Sequence, residues 1–246
     1  MEHVVERAVQ VIRERYAEPL SLDDIARSVM VSKFHLLRLF TRITGVTPGR
    51  FLSAVRLAEA KRLLTVSELN VADVSSQVGY SSTGSFTRRF TESVGIPPTQ
   101  YRKLSREGRE PVAPVEVSGP SDDMRCRLRG VVRSTATPLS SIYVGAFDSP
   151  ILQGQPASWT TVERPGPFTL TGVPCGTRFL HAAVQAVQEN PLEELGVVLL
   201  TATLGPVHID PFATFEVELV LRPRDWSRPP ILFALPGFDM TAAEAA

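Results

Sequence analysis

Two runs of side chains in this 246-residue sequence are spaced to do the same chemistry: Leu22 to Phe40 (LDDIARSVMVSKFHLLRLF) and Val71 to Phe90 (VADVSSQVGYSSTGSFTRRF). In the first, Leu36, Phe40 and Ile43 recur at helical intervals, with Leu39 beside them; Lys33, Phe34, Leu37, Arg38 and Thr41 then face outward. In the second, Phe86, Phe90 and Val94 point inward, and Thr83, Gly84, Thr87 and Arg88 remain outside. The outward sets combine cations, hydroxyls and methyl-bearing groups on a helix narrow enough for a major groove. Each outward set includes one arginine, Arg38 in the first and Arg88 in the second. Ser32 and Ser82, 50 residues apart, are the helix caps, so the motif has an internal period. Each run reads as a short helix, a tight turn and a second helix, the plan of a helix-turn-helix unit.

The elements around these runs must hold the two faces in place. Glu2 to Tyr16 carries Val5, Ala8, Val9, Ile12 and Tyr16 as one apolar stripe and ends before Glu18-Pro19. Ser21 caps a helix from Leu22 to Val29, with Asp23 and Asp24 in the first turn, where the helix dipole favours negative charge. The helix from Lys33 to Ile43 is closed by Gly45, and Val46-Thr47-Pro48 prevents its continuation. Arg50 to Leu64, with Phe51, Val55, Leu57, Ala58, Leu63 and Leu64 apolar, is the spacer helix. Val71, Val74 and Val78 support the second unit, and Gly79-Tyr80-Ser81 forms its turn.

Charge is uneven along the chain. Residues 1 to 110 hold 17 lysines and arginines against 12 acids, and residues 111 to 246 hold 9 against 14. All three lysines fall in the basic half, the half with the repeated motif. Arg42, Arg50, Arg62, Arg89 and Arg102 are phosphate candidates, each with an equal reading as a solvated charge. The start, MEHVVERAVQVIRERY, lacks the basic head and apolar core of a signal peptide, and no run approaches the roughly 20 apolar residues that span a bilayer. The expected location is cytoplasmic, with no membrane partner. In that reducing compartment Cys126 and Cys175, which form no metal-spaced cluster, read as small buried apolar residues rather than a disulfide or metal site. His35 reads as a packed or capping residue, not a metal ligand.

Three segments resemble the AraC/XylS family of transcription regulators: SKFHLLRLFTRITGVTP; the pattern Arg56, Ala60, Leu63, Leu64; and VGYSSTGSFTRRFTESVGIPPTQYRK. The resemblance covers about Glu2 to Lys103. It implies two recognition helices on one face of double-stranded DNA, in major grooves about 34 Å apart. It assigns base-edge contacts to Phe34, Leu37 and Arg38 in one helix and to Thr83, Gly84, Thr87 and Arg88 in the other, with Lys33 beside them. Leu37 departs from the polar residue of many relatives; it can touch a thymine methyl or add nothing. Gly84, which costs a helix about 1 kcal/mol against alanine, marks either a close approach to DNA or a permissive first turn. Ser75 stands where an alanine is usual. The implied partners are DNA, a small-molecule effector or RNA polymerase. One chain already carries two readers, so a homodimer is compatible but not required.

Residues 105 to 123 are rich in Pro, Gly, Ser and charge and read as a linker. From 124 to 238 the texture changes to short Val-, Thr-, Phe- and Leu-rich segments separated by turn residues, as in an all-β sandwich, and 239 to 246 read as a flexible tail. The passage GPFTLTGVPCGTRFL resembles the prealbumin-like sandwich also found as the carboxypeptidase regulatory domain. The expected fold class is therefore multidomain α plus β: an all-α double helix-turn-helix domain over 1 to 104, then an all-β sandwich. No nucleophile elbow, P-loop or dinucleotide glycine pattern is present, so neither catalysis nor a cofactor is expected. His181 and His208 are the weakly supported exception, as a metal or catalytic pair, while Trp159, Phe168, Phe179 and Phe215 read as core. Two other functions remain compatible with the residues: a non-specific DNA-architectural protein, and a ligand-binding sandwich with a vestigial DNA domain.

Overall fold

The computed structural model describes residues 1–107, 125–134, 136–190, 193–210 and 215–234. The 239–246 tail and most of the 105–123 linker lie outside them. The chain divides into two compact units. The first contains Met1–Pro111 and also Ile151–Gly154 and Asp225–Pro236; the described residues 125–150 and 155–224 make up the second. The boundaries read from the sequence run continuously, whereas the first unit draws in these two distant segments.

Among the described residues the first unit has seven helices: α1 (Glu2–Glu14), α2 (Leu22–Ser28), α3 (Lys33–Thr44), α4 (Pro48–Val66), α5 (Val71–Gln77), α6 (Thr83–Val94) and α7 (Pro98–Arg106). Local chemistry starts each motif helix. Ser21 Oγ accepts the Asp24 N–H, while the Asp24 carboxylate accepts the Ser21 hydroxyl and the Ser21 N–H; the hydroxyl first, then the N–H, hold that carboxyl below its ordinary pKa. Ser32 and Ser82 accept the N–H groups of His35 and Ser85, each at 3.3 Å. Thr47 caps α4 and Asn70 caps α5 in the same way. Gly45 and Gly95 end α3 and α6 in the left-handed region. One core joins all seven helices, built on Ile12, Ile25, Leu36, Phe40, Phe51, Leu57, Leu64, Val74, Phe86, Phe90 and Tyr101. Among the described residues no helix is long and apolar enough to cross a membrane.

The corner between α1 and α2 locks the two motifs together. Arg56 of α4 donates to the carbonyls of Tyr16 and Glu18, both at 2.7 Å, and its guanidinium lies 5.9 Å from the Tyr80 ring centre. Burial holds this guanidinium below the ordinary arginine pKa. Gly79, in the turn of the second motif with φ +85°, lies so close to the same corner that a Cβ there would sit 2.6 Å from the Ala17 carbonyl oxygen. In the first motif the matching left-handed position belongs to Met30 (φ 55°), whose side chain is exposed.

Ser75 is buried in α5 with its hydroxyl unpartnered among the described residues. Ser75→Ala removes an unsatisfied buried group and adds helix propensity, so it is expected to stabilise the unit by about 1 kcal/mol. The readout is a higher urea midpoint at unchanged slope; a lower midpoint would show that the hydroxyl is satisfied after all.

The second unit is a sandwich of two sheets. One orders β5 (Gly166–Pro174), β1 (Arg125–Arg133) and β8 (Phe215–Val220), with β1 and β8 parallel. The other orders β4 (Ser158–Val162), β3 (Ile142–Phe147), β6 (Gly176–Asn190), β7 (Glu193–Ile209) and β9 (Arg222–Pro223), with β2 (Thr137–Pro138) on β6. Leu128, Val132, Phe168, Leu170 and Leu219 from the first sheet meet Ile142, Val144, Leu180, Val184 and Leu200 from the second in one core. The α plus β class and the sandwich follow directly.

Candidate nucleic-acid interface

The outward face of α3 carries the expected groups. Phe34 is 72% exposed, an unusual state for a large aromatic, and Lys33 Nζ lies 5.8 Å from its ring centre. Lys33 also pairs with Asp23 at 3.3 Å. Arg38 is exposed and Leu37 half-buried. Arg38 and Arg42, one turn apart, line a shallow depression with Met1, His35 and Leu39. Among the described residues neither arginine makes a salt bridge, so both are available to an incoming anion. His35 is half-buried, and its main-chain N–H answers the Ser32 cap.

On α6, Thr83, Gly84 and Arg88 are exposed and Thr87 is half-buried. A Cβ on Gly84 would meet nothing within 4 Å, so the fold itself does not require glycine there. Ser85, which the sequence reading did not single out, is exposed between Gly84 and Arg88, and its hydroxyl lies 2.8 Å from that of Ser82. Arg88 and Arg89 both approach Glu92, at 3.6 and 4.0 Å. Exposed pairs of this kind are worth about 0.3 to 0.5 kcal/mol and do not tie Arg88 down.

The phosphate candidates differ in their surroundings. Arg42 and Arg50 are exposed. Arg62 is forked onto Glu59 of its own helix, with Nη2 at 2.6 Å from the carboxylate. Arg102 donates to the carbonyls of Leu64, in the last turn of α4, and Leu69, in the link to α5, and so works as a strut. Two further cations escaped the sequence reading of roles, Arg56 at the corner and Lys61. Lys61 is only 2% exposed, with Nζ 3.1 Å from the Phe233 carbonyl and 3.4 Å from that of Ile231. The signal for Lys61 was a lysine between Leu57 and Leu64 on the apolar stripe of α4.

In the sandwich, His181 is buried, with Nε2 2.9 Å from the Ser149 carbonyl and Nδ1 3.0 Å from the Thr203 hydroxyl. His208 pairs opposite Thr177, four residues along β6 from His181, and sits exposed beside Asp210. The strand register thus separates the two histidines. Among the described residues no group of three His, Cys, Asp or Glu is placed to hold a metal. Cys126 and Cys175 form no disulfide, but their sulfurs share a hydrogen bond at 3.4 Å, a proximity their 49-residue separation did not suggest. Burial, then the bond to Cys175, pushes the Cys126 thiol up from its ordinary pKa. Phe168 joins the core and Trp159 stacks on Tyr143 at 6.0 Å, while the side chain of Phe215 lies outside the described set.

Two capped helix pairs, repeated about a spacer helix and each presenting cations and hydroxyls outward, define a helix-turn-helix protein. The family described as a helix-turn-helix domain matches residues 25–104. The lactose operon transcription activator of Staphylococcus xylosus is 32% identical over 98 residues, which is 40% of this chain and 35% of that protein. The transcriptional activator AarP of Providencia stuartii is 39% identical over 83 residues, 34% of this chain and 62% of that one. A solved AraC-type transcriptional regulator from Chromobacterium violaceum is 30% identical, with a TM-score of 0.41, covering 42% of this chain and 92% of that one. Residues 25–104 belong to the AraC-type helix-turn-helix family. The chain spans about a third of the length of the Staphylococcus protein (35%), and the family match ends before the sandwich.

Proposed function

We propose that this chain is a sequence-specific DNA-binding regulator of transcription, acting in the cytoplasm, that reads two successive major grooves with α3 and α6. The observation that carries the reading is the pairing of Phe34 and Arg38 on one exposed helix face with Thr83 and Arg88 on its repeat, over a spacer helix and one shared core. Phe34, Leu37, Arg38, Thr83, Gly84, Thr87 and Arg88 address base edges. Arg42 and Arg50, with Lys33 and Arg89, address phosphates; Arg62, forked onto Glu59, and Arg102, donating to two main-chain carbonyls, contribute less. The sandwich is the effector or partner domain, of prealbumin-like type. A surface cleft of about 450 Å³ on its three-stranded sheet, lined by Arg129, Val131, Arg133, Thr169 and Glu218 among others, offers mixed charge to a small molecule.

The test is selection of duplexes from a randomised pool at about 150 mM salt, a strength at which non-specific phosphate binding is already weakened. The expected product is a bipartite site with half-sites about 10 base pairs apart. Arg38→Ala and Arg88→Ala should each relax sequence preference at one half by about 1 to 3 kcal/mol and leave the other half intact. An equal loss of affinity on every sequence would replace this reading with an architectural one.

A further inference from the structure

The two recognition helices have matching ends, closed in different ways. On α3 the Gly45 N–H donates to Thr41 O at 2.9 Å. The Thr44 hydroxyl lies 2.9 Å from Phe40 O and accepts the Val46 N–H at 3.3 Å. Every partner is within four residues. On α6 the Gly95 N–H likewise reaches Thr91 O at 2.9 Å, but Val94, which has no hydroxyl, stands where α3 has Thr44. The Ser93 carbonyl instead accepts the Gly154 N–H at 2.6 Å, and the Val94 carbonyl accepts the Ala234 N–H at 3.1 Å. The last four carbonyls of a helix have no partner within it, so these two bonds satisfy groups that the helix cannot.

The two donor segments are built to stay in place. The Leu232 and Phe233 N–H groups both donate to Leu152 O, at 2.9 and 3.0 Å, which ties the segments to each other. Ile151, Leu232 and Ala234 are buried in the helical core. The ammonium of Lys61, lodged under the second segment by the carbonyls of Ile231 and Phe233, also lies 5.7 Å from the Tyr101 ring centre. Gly154 holds φ +72°, and a Cβ there would come within 3.2 Å of Glu92 O, so glycine suits this approach to the end of α6.

We propose that Gly154 and Ala234 are positioning residues for the second recognition helix, seated by Lys61, so that reading by α6 depends on the distant segments while reading by α3 does not. The proposal rests on the DNA-reading function above. It is tested on the full chain with Lys61→Met, which removes the charge at similar volume, and with Ala234→Pro, which deletes a single N–H donor. Amide exchange by mass spectrometry compares residues 90–96 with 40–46. Affinity is measured on duplexes selected by the parent chain, intact and with either half scrambled.

Exchange at 90–96 should rise about tenfold or more in either variant, with 40–46 unchanged, since a lost charged or buried bond is worth about that factor. On DNA, scrambling the half read by α6 should lose most of its effect, while scrambling the other half retains it. Equal rises at both helix ends, or unchanged discrimination at both halves, overturn the proposal. So does rapid exchange of 225–234 in the parent chain. If the parent selects no duplex, the DNA reading fails and the exchange comparison alone decides the capping role.

Discussion

Gly79→Ala is expected to destabilise the helical unit by about 3 kcal/mol. The new Cβ would lie 2.6 Å from the Ala17 carbonyl oxygen and 3.0 Å from its carbon, and both are backbone atoms with no flexible end to give way. The φ of +85° adds the left-handed penalty of about 1 kcal/mol for a residue with a Cβ. Relief requires the turn of the second motif to move away from the α1–α2 corner, which strains a close-packed core. Among the described residues every helix longer than one turn lies in this unit, so ellipticity at 222 nm reports its urea or thermal unfolding. For a unit of about 125 residues the midpoint should drop by roughly 10 °C. A shift under about 2 °C would mean that the corner yields easily and does not fix the turn.

Arg56→Ala acts at the same corner from the opposite side, and its expected cost is about 2 to 4 kcal/mol. The substitution strips two main-chain carbonyls, those of Tyr16 and Glu18, of a charged donor at 2.7 Å, and removes the cation from the face of Tyr80. Arg56→Lys should recover less than half of the loss, because one ammonium cannot reproduce a planar fork across two carbonyls. The corner joins the first helix to the turn of the second motif, so DNA binding should respond in a distinct way. Affinity for a complete two-half site should fall much more than affinity for either half alone, as expected when two linked contacts lose their fixed spacing. Proportional losses on half-sites and complete sites would instead place the effect within one motif.

What could be read in the sequence was what is decided within four residues. Ser21, Ser32 and Ser82 announce helix starts because their partners are three positions ahead, and Gly45 announces an end because the left-handed position is local. The apolar intervals of Phe86, Phe90 and Val94 likewise give the inward face, and by subtraction the outward one. Strand texture gave the sandwich, because alternation and turn residues are also short-range signals.

What stayed hidden depends on partners far along the chain. Arg56 and Arg102 matched a pattern or read as loose cations, but their carbonyl partners lie 38 and 40 residues away for Arg56, and 38 and 33 away for Arg102. The approach of Cys126 to Cys175 follows from the pairing of β1 with β5 and has no trace in their spacing. The segment Trp226 to Ala234, with two prolines and no period, reads as an end of the sandwich; that Leu232 and Ala234 belong to the helical core depends on packing and hydrogen bonds to residues more than 70 positions away.

The corner at Ala17 turns the paired helices into a gauge with fixed jaws. B-form DNA turns by about 34° and advances about 3.4 Å per base pair, so one base inserted between two half-sites both rotates and displaces the second groove. A reader with a loose hinge would absorb that mismatch as a small entropic cost. A reader whose second turn abuts a backbone oxygen must twist the duplex instead, and the elastic energy of the intervening base pairs becomes part of recognition. The unread spacer between half-sites would then be selected for its length and its stiffness, with no side chain ever touching its bases.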